Sequence, residues 1–331
     1  MTALSEGQIY LQSYLAPFAG ILARPEVTDI YVNAPEECWA ETLSGGIERH
    51  PLAGLDGTTL TRLARQIAAY ANQGISREHP ILSAALPGGE RVQIVIPPAT
   101  RGGIVLAIRK HVSSDFRLED YAASGAFDTA HLAGPGRGRE LDTQLGDRLR
   151  TGDVQSLLRT AVRGRRNILI SGGTSTGKTT FLNALIREIP QEERLILIED
   201  TPELHLHHPN AIGLIAPRSA LGEALVTPED LLNASLRMRP DRIILGELRG
   251  LEAYTFLRAV NTGHPGSMTT VHADSPERAI EQIALLVLQG GTTLRREDVT
   301  HYIRSTIDVF VQLSRTAGRR SVSEIALRPG L

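Results

Sequence analysis

At 331 residues the chain exceeds one typical domain, and its 41% hydrophobic content is enough for ordinary cores. A formal net charge of -2 gives no global attraction to nucleic acid, so a DNA-binding role would need a local basic patch. Cys38, the single cysteine, excludes an intrachain disulfide and a cysteine-rich zinc site, and suits a reducing compartment.

The first residues, MTALSEGQIY, lack the basic-then-apolar pattern of a leader, and no run reaches the roughly 18 apolar residues of a membrane span. The expectation is a cytosolic protein with at most peripheral membrane contact. Ile9, Leu11, Leu15, Phe18, Ile21 and Leu22 predict a helix over 7–22, bent or broken at Pro17. Short β-type runs at 29–33, 38–42 and 47–50, separated by Pro35 and Ser44-Gly45-Gly46, predict a meander. Leu60, Leu63, Ile67 and Tyr70 predict a helix over 58–71. Strands follow at 81–86, 91–96 and 103–109, punctuated by Gly88-Gly89 and Pro97-Pro98. Residues 1–110 thus form a small α+β domain with its own core. The stretch 111–150 holds glycines, a proline and charge with little periodic apolar content, and one short helix at most; it is expected to be a linker.

From 154 onward strand and helix alternate: helix 154–162, strand 167–171, helix 178–188, a β-rich run at 194–199, helix 228–238 and strand 242–245. Helix 251–262, strand 267–271, helices 276–289 and 296–304, and strand 307–313 complete the series. Such alternation predicts a largely parallel sheet covered by helices, with its ligand site at the carboxyl ends of the strands.

One motif stands at such an end. ILISGGTSTGKTTFLN contains G-x-x-x-x-G-K-[ST] as Gly172, Gly177, Lys178 and Thr179, after an apolar run and before a helical pattern. Glycines let the backbone curl with its N–H groups inward, so that a string of donors and a helix N-terminus face one anion. The expected nucleotide ligands run from Gly173, Thr174, Ser175, Thr176 and Gly177 to Lys178, Thr179 and Thr180. Lys178 is a flexible charge for the β- and γ-phosphates, and the Thr179 hydroxyl suits Mg²⁺. The next strand ends deliver carboxylates: Glu199, Asp200 and Glu203 in LILIEDTPEL, and Glu247 in IILGELRG. Such groups hold Mg²⁺ through water and orient an attacking water, or else serve as caps and turn charges; beside a phosphate loop the first account is favoured for Glu203 and Glu247. His272, at the end of SMTTVHADSP, suits a bond to a γ-oxygen, while His264 in NTGHPGS fits a structural role equally well.

The series GGTSTGKTT, IEDTPEL, LRMRPDRIILGELRG and NTGHPGSMTTVHADSP resembles the secretion ATPase superfamily. ELRGLEAYTFLRAVNTGHPGSMTTVHA is most similar to its VirB11 branch, the hexameric traffic ATPases of type IV secretion and conjugation. The likeness is dense over 154–275 and weaker over 14–110. It implies a RecA-like P-loop ATPase domain over 151–331 behind the smaller α+β domain, Walker A at 172–180, an aspartate box at 199–203, Walker B at 243–247 and a histidine box at 264–272. Lys178, Glu203, Glu247 and His272 are then the expected catalytic groups and ATP and Mg²⁺ the cofactors, with Thr179 on the metal and Glu203 or Glu247 behind water. Which glutamate polarises the water stays open. The resemblance also implies arginines of the N-terminal domain at the nucleotide, which points to Arg91 and Arg109. Arg237 and Arg239 are explained equally well by a helix end.

The activity so implied is ATP hydrolysis driving domain movement in a homo-hexamer, in company with inner-membrane secretion components and other secretion ATPases. Sequence-specific nucleic-acid contact is not expected. A long linker also permits a swap of domains between neighbours. The rivals are a pilus or type II secretion motor, disfavoured by the lack of a cysteine cluster, and a DNA translocase, disfavoured by near-neutral charge and sparse aromatics.

Overall fold

The computed structural model describes residues 6–110, 117–123, 125, 127, 139–217 and 222–328. α1 (Glu6–Leu15) stops before Pro17, a 3₁₀ turn spans Ala16–Phe18, and α2 (Ala19–Leu22) continues it, so the expected break falls where proline removes a donor. β1 (Val27–Val32), β2 (Glu37–Thr42) and β3 (Ile47–Pro51) form the meander. α3 (Gly57–Tyr70) starts at Asp56, whose carboxylate accepts from the Thr59 N–H at 2.7 Å. β4 (Ile81–Ala85), β5 (Arg91–Val95) and β6 (Val105–Arg109) complete an antiparallel sheet of order β3-β2-β1-β6-β5-β4.

Both faces of that sheet are buried, by different partners. Ile30, Val32, Ile94, Leu106 and Ile108 join Leu60, Leu63 and Ile67 of α3 in one core. Their alternate neighbours Tyr31, Val95, Val105 and Ala107 belong to the core of the second unit. The period of two along each strand splits one sheet between two cores.

The second unit follows α4 (Leu118–Ala123), α5 (Arg139–Thr151) and α6 (Val154–Arg163). β7 (Ile168–Gly172), α7 (Lys178–Ile186), β8 (Leu195–Glu199), β9 (Ala211–Ile215), α8 (Pro228–Ser235) and β10 (Arg242–Leu245) come next. α9 (Glu252–Asn261), β11 (Met268–Val271), α10 (Pro276–Gln289), α11 (Arg296–Thr306), β12 (Val309–Thr316) and β13 (Arg319–Leu327) close the chain. The sheet order is β13-β12-β7-β11-β10-β8-β9, parallel except for β13. This is the α/β architecture expected, with β9 and β13 as strands that the sequence pattern did not yield.

Arg139–Thr151 also departs from the expectation, because it is helical within the stretch read as linker. Leu141, Leu145 and Leu149 recur every four residues in an otherwise polar segment, a stripe too narrow to register as periodic. Leu145 is fully buried against α6 and the phosphate-loop strand, and Leu141 packs against Gly164, where an added Cβ would lie 2.6 Å from its Cδ2. Leu145→Ala should therefore cost about 2–4 kcal/mol in urea unfolding. A loss under about 0.5 kcal/mol would return the segment to a tether.

β9 would be a bare sheet edge, and the N-terminal unit covers it. Arg101 N donates to Gly213 O at 3.0 Å, Ile215 N to Ala99 O at 2.9 Å, and Thr100 bridges Leu214 in antiparallel sense. Nearby, the fully buried Arg194 stacks 4.0 Å above the Tyr31 ring and bonds Asn33 and Asn210. Burial holds its guanidinium down at about 10. Within one chain, the two units share a core.

Candidate nucleotide site

β7 is buried along its length and delivers the phosphate loop to the carboxyl edge of the sheet. Two close approaches demand glycine. A Cβ at Gly172 would lie 2.5 Å from Thr176 Oγ1, and Gly177 opens α7 at φ +91°, a left-handed conformation that L side chains rarely adopt. Thr176 Oγ1 donates to Gly173 O at 2.9 Å and braces the curl.

Lys178 is folded back over its own loop. Nζ lies 3.0 Å from Gly172 O, 3.3 Å from Gly173 O, 3.2 Å from His272 Nδ1 and 3.7 Å from Glu247 Oε1. Burial lowers the ammonium pKa and Glu247 opposes that fall. Glu247 follows β10 and His272 follows β11, so adjacent parallel strands deliver them together. Glu247 Oε1 is 2.9 Å from His272 Nε2 but makes no aligned hydrogen bond, while Oε2 is paired with Arg249. Arg249 also reaches Asp200 Oδ2 at 3.0 Å. A buried carboxylate oxygen with a free lone pair, among cations, is an acceptor for a proton from water.

These groups share a cavity of about 370 Å³ with Thr174, Ser175, Thr179, Thr180, Glu203 and Arg320. Glu203 is exposed at its rim, in a loop pinned by Glu199: Glu199 Oε2 accepts from Glu203 N at 2.8 Å and Leu204 N at 2.6 Å. Asn183 of α7 fixes the same loop through Glu203 O and His205 N. Thus Lys178, Glu203, Glu247, His272 and the loop residues come together. Thr179 at the start of α7, facing the cavity, fits a hydroxyl ligand to Mg²⁺.

Arg91 and Arg109 do not join them within one chain. They are a cross-strand pair on β5 and β6, and with Arg237 they line a separate cavity of about 440 Å³. Arg109 Nε donates to Asp29 Oδ1 at 2.8 Å. The N-terminal arginine that does reach the rim is Arg101, which bonds Leu204 O at 2.5 Å and the Glu199 carboxylate. Nothing in the local sequence singles it out, since its target depends on how the units dock. Arg249 was not singled out from the sequence either, although its place two residues after Glu247 in GELRG was a signal for it. Arg239 is held by Glu41 at 2.6 Å and Asp241 at 3.0 Å, an ion-pair role. His264 Nδ1 donates to Pro240 O at 2.9 Å, and burial lowers its pKa; the structural account fits it.

A glycine-rich loop at the carboxyl edge of a parallel sheet, its lysine beside a glutamate and a histidine from adjacent strand ends, fits a P-loop ATPase of the secretion class. The model of the family described as "Type II/IV secretion system protein" matches residues 144–324. The chain belongs to that family and, within it, to the VirB11 branch. It is 40% identical to the type IV secretion system protein VirB11 of Bartonella henselae over 95% of this chain and 92% of the relative. PtlH of Bordetella pertussis is 39% identical over 94% and 93%. The crystal structure of the VirB11 ATPase of Brucella suis, in complex with sulphate, superposes with a TM-score of 0.89 at 39% identity, covering 96% of this chain and 98% of that one. Among the described residues no helix is long and apolar enough to cross a membrane.

Proposed function

We propose that the chain hydrolyses Mg-ATP as a homo-hexamer at the cytoplasmic face of the inner membrane. It would power transport or pilus assembly by a type IV secretion or conjugation system through nucleotide-driven domain movement, beside inner-membrane components and other secretion ATPases. The convergence of Lys178, Glu247 and His272 on one phosphate loop carries this reading. ATP entering the cavity would draw the Lys178 ammonium from the Gly172 and Gly173 carbonyls onto its β- and γ-phosphates, a short swing for a four-carbon stem. Mg²⁺, when bound, neutralises charge on those oxygens, with the Thr179 hydroxyl as its protein ligand. Glu247 Oε1 takes the proton of the attacking water, Arg249 holds the other oxygen in place, and His272 faces the leaving phosphate. Glu203, more exposed, would hold Mg²⁺ only through water.

Residues 1–110 and 151–331 act as the two working units. The core shared by both units of one chain favours movement at contacts between subunits over opening of that core. Arg91 and Arg109 act, in this reading, from their own cavity on a nucleotide outside their chain. The test is steady-state phosphate release by the full chain. Turnover should appear with Mg-ATP and vanish on chelation of the metal. Absence of phosphate release at any Mg-ATP concentration would sink the proposal.

A further inference from the structure

The hydrolytic groups use only one flank of the phosphate loop. β7 lies between β11 and β12, and both His272 and Glu247 come from the β11 side. The β12–β13 hairpin stands on the other. A Cβ at Gly172 would lie 3.0 Å from Leu313 O of β12, and one at Gly177 would lie 3.1 Å from Arg320 Cδ and 3.7 Å from its Nε and Nη1. Arg320 therefore rests on the loop at the first turn of α7, inside the cavity that holds Lys178.

A second observation points to an anion there. Arg320 is paired across the hairpin with Arg315, so the two side chains share one face. Like charges directly opposite on antiparallel strands destabilise the pair, and both residues are exposed with no carboxylate partner among the described residues. Such a pair gains from an anion placed between it and the N–H groups of α7.

We propose that Arg320, seconded by Arg315, binds the α-phosphate of the nucleotide. This rests on the nucleotide-binding reading above. A triphosphate with its terminal phosphate against Lys178, Glu247 and His272 has its other end toward the opposite flank, where Arg320 waits. The guanidinium fork bonds a phosphate bidentately and keeps its charge at any relevant pH. The α-phosphate is unchanged by hydrolysis, so the contact serves ATP and ADP alike and contributes uniform binding.

The experiment is calorimetric titration of the full chain with ADP and with inorganic tripolyphosphate, for wild type, Arg320→Ala, Arg320→Lys and Lys178→Ala. Arg320→Ala should weaken both ligands about tenfold, the scale of one charge-assisted hydrogen bond. Arg320→Lys should recover part of the loss, because an ammonium restores charge without the fork. Circular dichroism should report an unaltered fold, since the side chain is exposed. Unchanged ADP affinity in Arg320→Ala overturns the proposal. So does a loss for ADP with tripolyphosphate unaffected, which would place the arginine on base or ribose. Lost turnover at saturating ATP with ADP affinity intact would move it to the γ side and equally overturns the proposal. If Lys178→Ala weakens ADP and Arg320→Ala does not, only this proposal fails. A wild type that binds no ADP overturns the nucleotide-binding reading as well.

Discussion

Lys178→Ala should bring ATP turnover down by about a thousandfold or more, the scale seen when a preorganised cation or donor at a transferring group is removed. The side chain is nearly buried, within reach of two loop carbonyls, His272 and Glu247, and no other ammonium lines the cavity among the described residues. Its removal also leaves Glu247 with one cation fewer. Glu247→Gln makes a different prediction: the amide keeps the shape but loses the proton acceptor, so ADP should bind as before while turnover falls on the order of a hundredfold or more. Glu203→Gln should cost less, because that carboxylate stands at the rim. Single-turnover phosphate release read beside ADP affinity separates the three. Undiminished hydrolysis by Lys178→Ala would remove the ATPase assignment, and a larger loss in Glu203→Gln than in Glu247→Gln would exchange the glutamates' roles.

The groups in that comparison were legible in the sequence because each follows an apolar strand within a few residues, where the chain pattern itself fixes position. Gly172, Gly177 and Lys178 needed only local spacing, and Glu247 and His272 needed only the rule that adjacent parallel strands deliver their last residues side by side. What was not legible depends on packing between distant segments. α5 fully buries only Leu145 of its three leucines, β9 is a short run whose partner strand is remote, and β13 is a mostly exposed hairpin arm. Arginines show the limit most clearly. Arg91, Arg101 and Arg109 are alike in composition terms, and only the docking of the N-terminal sheet on β9 decides that Arg101 enters the phosphate cavity's rim while the other two face a different cavity. Gly213 carries a faint signal, a glycine within an apolar strand, which marks close approach of another segment.

That close approach leads to the second large effect. Arg101 lies across Gly213, where a Cβ would come within 2.4 Å of its Cδ, and its guanidinium ends on Glu199, whose side chain is 2% exposed. Glu199 has no other cation paired with it among the described residues, and its second oxygen holds the backbone N–H groups of Glu203 and Leu204. Arg101→Ala would leave a buried carboxylate without its counter-charge, which costs about 3–5 kcal/mol. It would also free the loop that carries Glu203, so turnover should fall by about as much as in Glu203→Gln. Gly213→Ala should reproduce both effects by pushing the arginine out of its seat. The expected signature is a lowered unfolding midpoint together with reduced turnover, with ADP affinity little changed because the loop at 172–180 is untouched. In a double-mutant cycle, Glu199→Gln should recover much of the stability lost in Arg101→Ala, since the orphaned charge is then gone. Additive losses would mean that the two residues act separately. The rim of the site would then not depend on the N-terminal unit.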